Sequence, residues 1–145
     1  MEQYNAFTLR LTDYIIQNHP DRIMEKDFIA QRGEAAKQTF AECSRMGMHY
    51  EECKFESDRV LYRGLHFAPI KMIEEIVDAH YPQVNQLSIH RPALLMQMLA
   101  YVKPALAKYV NEDNDDSFQG SEEYVKAYRH IKNLINQFLY NNGLQ

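Results

Sequence analysis

The sequence predicts an all-α protein, a helical bundle forming one compact domain over residues 1–145, with six or seven helices and short connections. Three observations carry this. Apolar residues recur at intervals of three and four along most of the chain, the repeat of one helical face. No segment sustains the alternation of a half-buried strand, and no hairpin turn pair joins two apolar runs. Threonine, a common strand residue, occurs only three times.

The first helix is expected from about Glu2 to Asn18, with Tyr4, Phe7, Thr8, Leu11, Tyr14 and Ile15 on one face. His19-Pro20 ends it, because a residue before proline is pushed out of the helical region. The second begins between Met24 and Asp27 and carries Phe28, Ile29, Arg32, Ala35, Ala36, Phe40 and Cys43. Gly47 is placed as its left-handed stop. Gly33 lies inside this helix at a cost of about 1 kcal/mol relative to alanine, which close packing of a neighbour would explain.

A third helix spans about His49 to Arg63, with Cys53, Ser57, Val60, Leu61 and Gly64 forming a narrow face. The fourth starts near Pro69, a good first helical position, and Tyr81-Pro82 closes it. Helical spacing returns from Pro92 to Val110, where Pro104 predicts a kink or a break into two short helices. The last helix starts after Ser121 as N-cap, with Glu122 and Glu123 suited to the positive end of the dipole. Its face runs from Tyr124 to Leu139, and Gly143 stops it.

Composition narrows the function classes. Of 145 residues, 46% are hydrophobic and 25% charged, a globular balance. The net charge of −4 argues against a strongly basic protein that coats nucleic acid. Two cysteines, Cys43 and Cys53, cannot form a dense disulfide framework and suit a reducing compartment. No apolar run approaches the roughly 20 residues that span a bilayer. The start, Met1-Glu2-Gln3-Tyr4, has no secretory pattern. A cytoplasmic protein without a membrane association is expected.

Metal and catalytic patterns are weak. His49 and Cys53 are four apart with Cys43 upstream, a zinc-like spacing, but no second close pair completes four ligands. Asn111, Asp113, Asp115 and Glu122 fall at calcium-loop positions one, three, five and twelve. Asparagine stands there in place of the leading aspartate, and Asp116 where glycine makes the sharp turn. No metal, cofactor or catalytic residue is therefore assigned, and an enzyme is not expected. A metal-dependent enzyme or sensor is the least favoured reading.

Basic residues form two modest groups. Arg59 and Arg63 are four apart on the third helix, and Lys126, Arg129 and Lys132 follow at spacing three on the last. Arg59, Lys126, Arg129 and Lys132 make the candidate basic face for phosphates, against the ordinary reading of a solvated face. The segment Arg63-Gly64-Leu65-His66-Phe67 is the most distinctive. It joins two helices, and it is the candidate recognition corner presenting Arg63 and His66. In the competing structural reading, a partly buried His66 satisfies backbone groups.

Arg63-Gly64-Leu65-His66-Phe67, together with His19-Pro20-Asp21-Arg22 and Asp27-Phe28-Ile29, resembles a family of small all-helical Bacteroidetes proteins of unknown function. Their genes often lie near conjugative or other mobile elements. The resemblance covers nearly the whole chain in helix order. It implies the all-α fold and carries over no activity, ligand or catalytic residue. The acidic stretch from Asp113 to Asp116 departs from the pattern.

The expected function is a small cytoplasmic interaction or accessory protein, one that could serve a mobile element. An unidentified protein partner is expected, with self-association left open. The alternative is a nucleic-acid-associated regulator that uses the basic helix faces.

Overall fold

The computed structural model describes residues 5–87, 89–110 and 116–144. They form six α-helices and three short 3-10 turns, with no strand among the described residues. The helices gather into two compact units, Met1–Leu65 and His66–Gln145. Each unit has its own apolar cluster.

The first unit contains α1 (Ala6–Asn18), a 3-10 turn (Pro20–Arg22), α2 (Lys26–Arg45) and α3 (Tyr50–Leu61). Asn5 caps α1, its side-chain oxygen accepting the Thr8 N–H at 2.9 Å. Leu11, Ile15, Ile29, Ala36, Leu61 and Leu65 form the buried cluster, with Phe7, Tyr14 and Phe28 packed around it.

At Gly33, α2 lies close against Thr8 of α1. A β-carbon there would lie 2.3 Å from Thr8 Oγ1 and 3.1 Å from Thr8 Cα. The helix gives up propensity at this position so that the backbone of α1 can approach.

The turn between α2 and α3 is a Schellman motif. Gly47 adopts φ 79°, and its N–H donates to Ser44 O at 3.0 Å. The Met48 N–H reaches back to Cys43 O at 3.2 Å. Four residues then suffice to reverse the chain into α3.

The second unit contains α4 (Pro69–His80), a 3-10 turn (Pro82–Gln86), α5 (Arg91–Leu106), a 3-10 turn (Asp116–Gly120) and α6 (Glu122–Asn141). Ile73, Ile76, Met98, Val102, Ile131 and Ile135 are among its buried side chains. Phe118 docks a 3-10 turn on this core, edge-on to Phe67 at 5.1 Å and to Tyr124 at 5.6 Å. Ser121 caps α6, its hydroxyl accepting the Tyr124 N–H at 3.2 Å. Gly143, at φ 66°, ends it as expected.

Pro104 does not split α5 in two. The helix runs unbroken from Arg91 to Leu106 through Pro104, which leaves one carbonyl of the preceding turn, that of Ala100, without an i+4 N–H donor. No helix among the described residues is long and apolar enough to cross a membrane.

Gly33→Ala should destabilise the protein even though alanine is the better helix former. The propensity gain is about 1 kcal/mol, and forcing a methyl into this contact costs about 1–3 kcal/mol. Urea denaturation of the variant should give a lower midpoint. An equal or higher midpoint would show that Thr8 does not press on this position.

Candidate interaction surface

Helix α3 buries one narrow stripe, Cys53, Ser57 and Leu61, at four-residue spacing. Phe55 lies two positions from both Cys53 and Ser57, about 200° around the helix, so it points away from the core. It is 63% exposed. The Arg59 guanidinium sits 6.0 Å from its ring centroid and pairs with Glu56 at 3.2 Å.

Two further apolar side chains are exposed at the start of this hairpin, Met46 at the end of α2 and Tyr50 at the first turn of α3. Tyr50 is held from within. Its ring meets Phe40 edge-on at 5.7 Å, and Phe40 meets Phe7 at 6.1 Å. The outward aromatic therefore rests on a stack reaching back to α1.

The far end of α3 is built differently. The last carbonyls of a helix have no partner within it. Here Arg32 of α2 supplies donors to them, and side chains from α1 and the turn after it hold the segment that follows. Arg32 of α2 donates through Nη1 to Val60 O and Leu61 O, each at 3.3 Å, and to Arg63 O at 2.6 Å. Its charge also meets the negative end of the α3 dipole. The Phe28 ring lies under two guanidinium groups, Arg32 at 4.7 Å and Arg22 at 4.4 Å.

Gly64 then turns the backbone at φ 79°. The Leu65 carbonyl accepts twice, from Tyr14 OH at 2.8 Å and from His19 Nε2 at 2.9 Å. The second bond requires the proton of neutral His19 to sit on Nε2. Arg10 of α1 adds an ion pair to Asp58.

The candidate recognition corner is therefore mixed in character. Leu65 and Phe67 are buried, each in the cluster of its own unit, whereas Arg63 and His66 are exposed. The expected partial burial of His66 is corrected. His19 is the buried histidine, 5% exposed, and it is the one that satisfies a backbone group. Sequence reasoning used His19 only as a helix end. The signal was its register, because Leu11, Ile15 and His19 repeat at four on the buried face of α1.

The candidate basic face is distributed over both units. Arg59 belongs to the first, and Lys126, Arg129 and Lys132 to α6 of the second. Lys126 pairs with Glu123 at 3.4 Å, and Arg129 is exposed. Lys132 is half-buried, and its backbone carbonyl accepts from Tyr81 OH at 3.4 Å.

Of the zinc-like residues, His49 is exposed and Cys53 is buried. No group of three or more potential metal ligands comes together among the described residues. The calcium-like positions Asn111, Asp113 and Asp115 lie outside the described residues. Phe118, at position eight of that pattern, belongs to the core of the second unit.

Burial holds the pKa of His19 below the usual histidine value, with the Leu65 carbonyl opposing that shift and the Arg22 charge adding to it. The unfolded chain therefore takes up a proton more readily than the folded one. The contribution of His19 to stability is complete above the unfolded value of about 6.5 and is lost as pH falls towards the lower folded value. Urea denaturation of the native protein should show stability declining from pH ~7.5 to pH ~5.5. His19→Gln, which keeps a side-chain N–H donor, should flatten that decline, and an unchanged slope would exclude His19 as its source.

Comparison with known proteins supports the helical fold. The chain is similar to a protein, PG0816, from Porphyromonas gingivalis whose crystal structure is known. The TM-score is 0.79 at 24% identity, covering 96% of this chain and 92% of that one. That organism is one of the Bacteroidetes, the group to which the sequence resemblance pointed. No functionally curated protein matches the chain. The model of one family, described as a domain of unknown function (DUF1896), matches residues 2–144, and the chain belongs to that family.

Proposed function

We propose that the chain is a small cytoplasmic interaction protein that binds a protein partner through the outer side of the α2–α3 hairpin. Phe55 and Arg59, on the outer face of α3, form the contact. The observation that carries this reading is Phe55, a phenylalanine 63% exposed on the side of α3 facing away from its buried stripe. Covering such a side chain yields about 1.5–3 kcal/mol, which the monomer leaves unused. Exposed aromatic and arginine side chains are also the types that dominate binding energy at protein interfaces. Phe55 and Arg59 supply that pair at 6.0 Å. The free thiols of Cys43 and Cys53 support the cytoplasm as its location.

A tagged pull-down from the native host at low salt, with and without nuclease, tests the proposal when run beside Phe55→Ala and Arg59→Ala. The expected result is a stoichiometric, nuclease-resistant partner that either substitution depletes at least tenfold while circular dichroism stays unchanged. Recovery of the same partner by both variants would overturn the assignment of the surface. Nuclease-sensitive recovery would overturn the protein-partner reading in favour of Lys126, Arg129 and Lys132 on α6.

A further inference from the structure

Helix α6 ends in the same kind of turn as α2. Gly143 adopts φ 66°, and its N–H donates to Tyr140 O at 3.1 Å. The Leu144 N–H reaches back to Leu139 O at 2.8 Å, and Leu144 packs against the apolar cluster of the second unit. Asn142 closes the last turn twice over. Its backbone N–H donates to Phe138 O at 3.1 Å, and its side-chain Nδ2 donates to the same oxygen at 2.7 Å. Among the asparagines of the chain, Asn142 alone precedes a glycine. That pairing is chemically labile, because glycine has no side chain to obstruct attack by its own nitrogen on the asparagine amide. The site is also open to water. Asn142 is exposed, and a β-carbon at Gly143 would meet nothing within 4 Å.

We propose that Asn142 is a self-modification site, which deamidates through a cyclic imide with Gly143 only while the last turn of α6 is open. Gly143 N loses its proton to base and attacks Asn142 Cγ. The N–C bond forms, the Cγ–Nδ2 bond breaks, and Nδ2 takes up a proton and leaves as ammonia. Water then opens the imide at either carbonyl, giving aspartate or isoaspartate. Overall, one water is consumed and one ammonia is released, with no oxidation.

The closed turn blocks the first step. The imide ring contains Gly143 N and the C, Cα, Cβ and Cγ atoms of Asn142, so Gly143 N must swing round to eclipse Cβ. Asn142 sits at ψ 8°, where Gly143 N eclipses the Asn142 nitrogen instead. Turning it into place breaks the bonds from Gly143 and Leu144 that cap the helix. The product does not close the turn again. Aspartate has no donor for Phe138 O and sets a negative charge at the negative end of the α6 dipole. Isoaspartate also lengthens the main chain by one atom, which the capping bonds do not fit. The modification therefore runs in one direction, freeing Leu144 from the core and fraying α6.

Timed incubation of the native full-length protein in mildly alkaline buffer, beside the same protein in guanidinium chloride, tests the proposal by peptide mapping. The expected product is a gain of ~1 Da at Asn142, part of it isoaspartate that an isoaspartate methyltransferase labels. It should form at least ~10-fold more slowly in the native protein than in the denatured chain. Leu144→Ala, which loosens the turn, should speed the native reaction at unchanged helix content. Equal rates in the native and denatured protein, or an unchanged rate in Leu144→Ala, would overturn the gating by the helix end. Loss of Asn142 no faster than that of Asn133 or Asn136 in guanidinium chloride would overturn the site itself.

Discussion

The first unit depends on how one helix end is satisfied. Helix α3 stops at Leu61, and its terminal carbonyls, with those of the following turn, need donors from outside the helix. Arg32, Tyr14 and His19 supply them from three separate places in the sequence. A buried carbonyl left without a donor costs about 1–3 kcal/mol. The apolar cluster of Leu11, Ile15, Ile29, Ala36, Leu61 and Leu65 is small, so this polar closure carries much of the specificity of its packing. It also fixes the register of α1 and α2 against the end of α3, which the apolar contacts alone would define more loosely.

The two ends of α3 serve different purposes as a result. The C-terminal end is closed by inward-facing side chains. The N-terminal end, with the Schellman turn before it, leaves Met46, Tyr50 and Phe55 outside. Arg59 pairs with Glu56 and lies over the Phe55 ring, so a charged group borders the exposed aromatic on the outer face of α3. That outer face is the surface proposed above for a protein partner.

Helix positions were legible in the sequence because their signals are local. Pro69 and Ser121 mark starts, and Gly47 and Gly143 mark stops, through backbone preferences that need no tertiary context. The 3-10 turns were not legible, since three to five residues are too few to show a period. Nor did periodicity show the apolar residues sorting into two clusters, because a repeat says which face is buried and not what it meets. The role of Gly33 became visible only with Thr8 from another helix against it. Arg32 and His19 did leave a trace. Each stands on an apolar face where a charged or polar group needs a partner, and that partner is a backbone carbonyl about 30 to 46 residues away. The candidate site was less legible still. Phe55 occupies a polar stretch without periodicity of its own, and its exposure follows only once the buried stripe of α3 is known.

A double-mutant cycle between Arg32→Met and Tyr14→Phe tests most directly whether this helix end acts as one unit. The two side chains come from different helices and donate to different carbonyls, so they interact through the end of α3 that both hold. If the closure is cooperative, the coupling energy from urea denaturation should be at least ~0.5 kcal/mol, with the double variant less destabilised than the sum of the singles. Strict additivity would contradict the account and reduce the closure to two independent hydrogen-bonding groups.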